Sequence, residues 1–134
     1  MAQDTGDLVA LMPFACTLGI TLTTAGPDEV VGTLPWSDAH TTAGGLAHGG
    51  VLMALADTVG ALCAYLGLPE CAATATTASA TNLLRGVREG TVTATARPVH
   101  RGRTQVVVQT DLTDSAGRLV ARTTQTQAVL PAPA

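Results

Sequence analysis

Charge is scarce in this sequence: Asp, Glu, Lys and Arg make up 13% of 134 residues, against 46% hydrophobic. Aromatic side chains are scarcer still, with one Trp, one Tyr and one Phe. A net charge of -3 gives no general attraction to a polyanion, and three rings leave little for base stacking, so nucleic acid is not an expected partner. The cysteines Cys16, Cys63 and Cys71 are odd in number, show no CxxC spacing and have no histidine cluster beside them. That argues against a disulfide framework or a zinc site, and they read as reduced thiols of a cytoplasmic protein with no metal and no cofactor. No apolar run reaches the ~18 to 20 residues a bilayer requires without Gly, Thr or Asp breaking it, so no membrane partner is expected. The N-terminus carries Asp4 and Asp7 where an export signal would be basic.

Such a length fits one domain over residues 1–134, and the shortage of charge favours surface buried between subunits. Residues 1–12 form an N-terminal helix region, with a short helix over Gly6 to Met12 ending at Pro13. Ile20 to Thr24 and Glu29 to Leu34 are rich in β-branched residues and separated by Gly26-Pro27-Asp28, which predicts a hairpin. Trp36 to Ala47 is a polar, Gly-containing loop. Gly49 to Leu66 is the one long helix, with hydrophobes at almost every angle, so it is expected to be buried on every side. Thr74 to Leu84, Thr91 to His100, Thr104 to Thr113 and Leu119 to Leu130 are Thr- and Val-rich strands punctuated by turns, and residues 131–134 are a flexible tail. Four consecutive strands and one apolar helix predict an α+β fold, an antiparallel sheet wrapped around a long central helix.

Asp57 is the one charged side chain between His48 and Glu70, in the middle of that helix. A carboxylate in such a place costs several kcal/mol unless it is paired or hydrogen-bonded, which makes it the first residue to suspect of chemistry. Gly49 and Gly50 stand at the helix N-terminus, where unpaired N–H groups and the positive dipole end favour a developing oxyanion. Gly50 and Asp57 share a helical face but lie about 10 Å apart along the axis, too far to serve one carbonyl. Two such helices packed antiparallel across a twofold axis bring the N-terminus of one to the Asp of the other.

The run His48-Gly49-Gly50-Val51-Leu52-Met53-Ala54-Leu55-Ala56-Asp57-Thr58 resembles the HGG(x)nD helix signature of the PaaI-like hotdog-fold acyl-CoA thioesterases, and Thr76 to Arg85 is similar to the strand that follows it there. Gly90 to Ala96, Gly102-Arg103 and Gly117 to Ala121 extend the resemblance, which runs from about Gly19 to Ala128. It implies a hotdog fold and a hydrolase that cleaves a thioester to a free acid and coenzyme A. It also implies that Asp57 is the general base or nucleophile and that the Gly50 N–H polarises the carbonyl. His48 is implied to fix the helix start and the substrate, and Thr76, or else Thr74 or Thr77, to orient the water. Many members have Asn six residues before the His; here it is Thr42, which lacks the amide's paired donor and acceptor. Gly49 and Thr42 are thereby candidate substrate contacts. Arg85, Arg101 and Arg103, at strand ends and turns, are candidates for the coenzyme A phosphates, since Arg binds phosphate bidentately.

The expected partner is an acyl-CoA or aroyl-CoA, with a homodimer as the smallest active unit and a homotetramer, a dimer of dimers, as the assembly the resemblance implies. A non-catalytic acyl-CoA-binding sensor and a hotdog enoyl-thioester hydratase or dehydratase are the competing readings.

Overall fold

The structure, a computed structural model, describes residues 4–133; the first three residues of the N-terminal region and Ala134 of the tail lie outside it. Two short helices open the chain, α1 (Thr5–Ala10) and α2 (Pro13–Leu18). Asp4 caps α1, its Oδ1 accepting from the N–H of Gly6 at 2.8 Å. α1 ends at Ala10, short of the Met12 expected, and Pro13 begins α2 instead, because a first helical position has no use for the N–H that proline lacks. Gly19 closes α2 in the left-handed conformation, φ 81°.

Six strands follow: β1 (Thr21–Ala25), β2 (Val30–Pro35), β3 (Ala73–Leu83), β4 (Thr91–Arg101), β5 (Gln105–Thr113) and β6 (Leu119–Leu130). They form one antiparallel sheet in the order β1-β2-β4-β5-β6-β3. The helix α3 (Gly49–Leu66) lies across it and touches every strand. Alternation does the sorting: Val106, Val108, Thr110 and Leu112 of β5 are buried, with the intervening residues only half-buried. They pack with Leu55, Ala56, Val59 and Cys63 of α3 and Val30, Ala94, Ala96 and Val120 of the neighbouring strands. Gly32 on β2 lets α3 come this close, since a Cβ there would stand 2.7 Å from Cγ2 of Val59. This is the α+β hotdog architecture expected, a sheet wrapped around one central helix. α3 has the length and hydropathy of a membrane span, yet it packs against the sheet as the core helix.

The wrapping is incomplete on one side. Gly50, Met53, Asp57 and Tyr65 are exposed, and Ala54, Thr58 and Ala61 half-buried, so α3 presents a stripe one helical face wide that the sheet does not cover. The expectation of a helix buried all round, and of a buried Asp57, is corrected here. Hydrophobicity at every angle records that the stripe is apolar, not what covers it. β3 stands beside that stripe at the edge of the sheet. Among the described residues it pairs with β6 alone, and nearly all of its own residues are exposed.

Candidate active site

The polar loop before α3 is tied down before the helix begins. Two single 3₁₀ turns, Asp38–His40 and Ala43–Gly45, fold it back on itself, Thr41 bridges to Ala47, and Trp36 Nε1 donates to the Gly45 carbonyl at 3.1 Å. Arg88 reaches the Gly44 carbonyl at 2.6 Å. Thr42 sits at the start of the second turn, exposed, with its N–H on the Leu46 carbonyl and no side-chain cap bond.

His48 is the N-cap of α3. Its backbone is extended, its N–H donates to the His40 carbonyl at 2.8 Å, and its Nδ1 accepts from the N–H of Gly50 at 2.8 Å. The Gly50 N–H, expected to face a substrate carbonyl, is therefore engaged by its own cap, as second-position donors of helices commonly are. Val51 and Leu52 both donate to the His48 carbonyl. The Gly49 N–H, the first of the helix, has no acceptor among the described residues. It is the donor the helix end leaves open.

Two turns on, Asp57 is held from the sheet. Thr76 Oγ1 donates to its Oδ1 at 3.1 Å, and Gln125 Nε2 donates to the same oxygen at 2.9 Å. The direction of the Thr76 hydroxyl is set from behind, because Gln127 Nε2 donates to Thr76 Oγ1 at 2.7 Å and leaves that proton for Asp57. Thr74 Oγ1 in turn donates to Gln127 Oε1 at 3.1 Å. A β-bulge between Thr76 and Ala78 breaks the β3–β6 register beside the site, and such a bulge changes where the flanking side chains aim. Of the three threonines kept open in the sequence, Thr76 touches Asp57, Thr74 stands one bond behind through Gln127, and Thr77 turns to the Thr126 carbonyl.

Gln125 and Gln127 were not candidates from sequence. The signal available was Arg122: a charge on β6 fixes the solvent-facing phase, and the alternate positions 123, 125 and 127 then point inward. The three arginines proposed for phosphate do not converge within the chain. Arg85 follows β3, beyond Leu83, whose side chain abuts Gly49, while Arg101 and Arg103 stand at the other end of α3, which is about 27 Å long. Arg101 is largely committed, donating to the carbonyls of Ala64 (3.2 Å), Cys63 (2.8 Å) and Pro27 (2.5 Å), so it caps the C-terminus of α3. Arg85 and Arg103 are exposed.

An oriented carboxylate on an open face and an unclaimed helix N–H are what acyl transfer to water uses, and the hotdog fold that carries them defines the class. Residues 44–121 match the family model described as the thioesterase superfamily, and the chain belongs to that family. Relatives agree with it. The chain is 30% identical over 105 residues to the 1,4-dihydroxy-2-naphthoyl-CoA hydrolase of Escherichia coli K12, covering 78% of this chain and 77% of that protein. It is 32% identical over 101 residues to the proofreading thioesterase EntH of Cronobacter sakazakii, covering 75% and 74%. A thioesterase crystal structure from Haemophilus influenzae superposes with a TM-score of 0.91 at 32% identity, over 97% of this chain and 92% of that one. The enzyme is a thioester hydrolase.

Proposed function

We propose that the chain hydrolyses acyl-CoA or aroyl-CoA thioesters in the cytoplasm, in a site shared between two subunits of a homodimer, with two dimers making a homotetramer. The observation that carries this reading is Asp57, fixed by Thr76 and Gln125 on the one stripe of α3 that its own sheet leaves open. Within one chain the helix N-terminus is about 10 Å from that carboxylate. A twofold axis beside the stripe, with β3 pairing to its copy, covers both the stripe and the free sheet edge and sets the Gly49 end of one helix opposite Asp57 of the other.

In that arrangement the Gly49 N–H donates to the thioester oxygen, and the Gly50 N–H joins it when the His48 ring turns aside. Charge gathers on that oxygen as the carbon becomes tetrahedral, where one well-placed donor contributes about 3 to 4 kcal/mol. Asp57 takes a proton from water as it attacks, or attacks the carbonyl itself to form an anhydride that water then opens. Either way the C–S bond breaks, the electron pair leaves on sulfur, and the thiol and free acid depart. Arg85 and Arg103 are free to meet the coenzyme A phosphates.

Thiol release from a panel of acyl- and aroyl-CoAs tests the reading. Asp57→Asn should lower kcat by about 10²- to 10⁴-fold. Wild-type rates in that variant would remove Asp57 from the chemistry, and binding without turnover by the wild type would make the protein an acyl-CoA sensor. Single turnover in ¹⁸O-water separates the two routes, since attack by Asp57 can leave label in its carboxylate.

A further inference from the structure

Gln125 and Gln127 are 1% and 0% exposed, the two amides in a core built mostly of Val, Leu and Ala, where the other buried polar side chains among the described residues are the hydroxyls of Thr110 and Thr123. An amide there loses its hydration, whereas an apolar side chain of the same length would fill the space without that loss. Gln127 is matched at both ends, by Thr76 and Thr74. Gln125 is not: its Nε2 donates to Asp57, while its Oε1 is buried with no hydrogen-bond partner. The orientation follows from chemistry, because a carboxylate oxygen accepts and only the NH₂ end can face it.

The helix is shaped around the unmatched end. A Cβ on Gly60 would fall 1.8 Å from Gln125 Oε1 and 3.2 Å from Thr110 Oγ1, so no side chain fits at 60 while Gln125 keeps its place. A glycine inside a helix and a half-satisfied amide inside a core each lower stability. The two meet at one contact, and the other end of that contact is Asp57.

We propose that Gln125 is a positioning residue for thioester hydrolysis, its amide passing through the slot left by Gly60 to hold Oδ1 of Asp57 from inside the core. The inference rests on Asp57 being the base or nucleophile. Thr76 and Gln125 converge on Oδ1, one from the sheet edge and one from beneath the helix, so the carboxylate cannot swing and Oδ2 is the atom presented to water or carbonyl.

The test is steady-state kinetics with melting curves on three variants and one double variant. Gln125→Met keeps length and volume without the donor. Its kcat should fall about 10- to 100-fold with KM within about 3-fold of wild type, the loss expected when a catalytic group is misplaced but binding is not. Its Tm should be unchanged or higher. Gly60→Ala should lower kcat comparably by evicting the amide. Gln125→Ala makes room for that methyl, so adding Gly60→Ala to it should cost no further factor. Wild-type kcat in Gln125→Met, equal losses in kcat, KM and Tm, or multiplying effects of Gly60→Ala and Gln125→Ala would each overturn the inference while wild-type turnover upheld the function. A wild type inactive on the whole panel would take both down.

Discussion

Among the described residues the hydrogen bonds to Asp57 both arrive at Oδ1, which leaves Oδ2 as the oxygen for the chemistry proposed above. Its partner Thr76, 19 residues on, was legible because a resemblance carried it. Gln125 was harder to see, because the β6 run Thr123-Thr124-Gln125-Thr126-Gln127 is polar on both faces and Arg122 just before it is the one residue that marks the outer face. Elsewhere a single side chain reports its surroundings through titration. Burial pushes the Cys63 thiol up from an ordinary 9.0 to about 11, with Asp28 and Glu29 adding to it and Arg101 opposing. The sign is that of a raised group: its contribution is complete below pH 9.0 and drains away as pH rises toward about 11, where the folded state ionises too. Urea midpoints should therefore fall between pH 8.5 and 10.5 less steeply in Cys63→Ala than in wild type. An alkylating reagent at pH 8 should modify exposed Cys16 and Cys71 of the chain and reach buried Cys63 only on unfolding.

At the scale of the element, α3 joins a cap, a carboxylate and a clamp along one axis: His48 on Gly50, Asp57 in mid-helix and Arg101 on the last carbonyls. Its extent was legible almost to the residue, since Gly49-Gly50 and Gly67 bracket the apolar run. Its exposed stripe was not, because an apolar surface awaiting a partner and one covered by its own sheet have the same composition. α2 is illegible for a different reason: Pro13 reads as a stop in the sequence, and in the fold it serves as a start. The open N–H at the head of α3 admits a narrow test. Gly49→Pro deletes that donor at a position where helices accept proline, and the preceding His48 already has the extended backbone proline demands, φ -63° and ψ 135°. We expect unchanged circular dichroism and a kcat lower by about 10²- to 10³-fold, the cost of losing one oxyanion donor. If Gly49→Pro turns over at the wild-type rate, the N–H is not part of the chemistry.

For the whole molecule, the prediction is complementation. Asp57→Asn and Gly49→Pro chains should each be inactive as homodimers, yet mixed by unfolding and refolding together they should regain activity. On the proposed intersubunit site, a heterodimer holds one site with both lesions and one with neither. No recovery, in mixtures that sedimentation shows to be dimeric, would place the carboxylate and its N–H in the same subunit. The sheet order has a further bearing on when the enzyme becomes active. β3 leaves the ribosome before β4, β5 and β6, but among the described residues of its own chain it pairs with β6 alone, and Thr76 is aligned by Gln127 of that last strand. The carboxylate of Asp57 is thus made early and oriented late. On the proposed site, a nascent chain that holds the helix and most of the sheet still lacks the Gln127 that aligns Thr76, and turnover should begin only once β6 is in place.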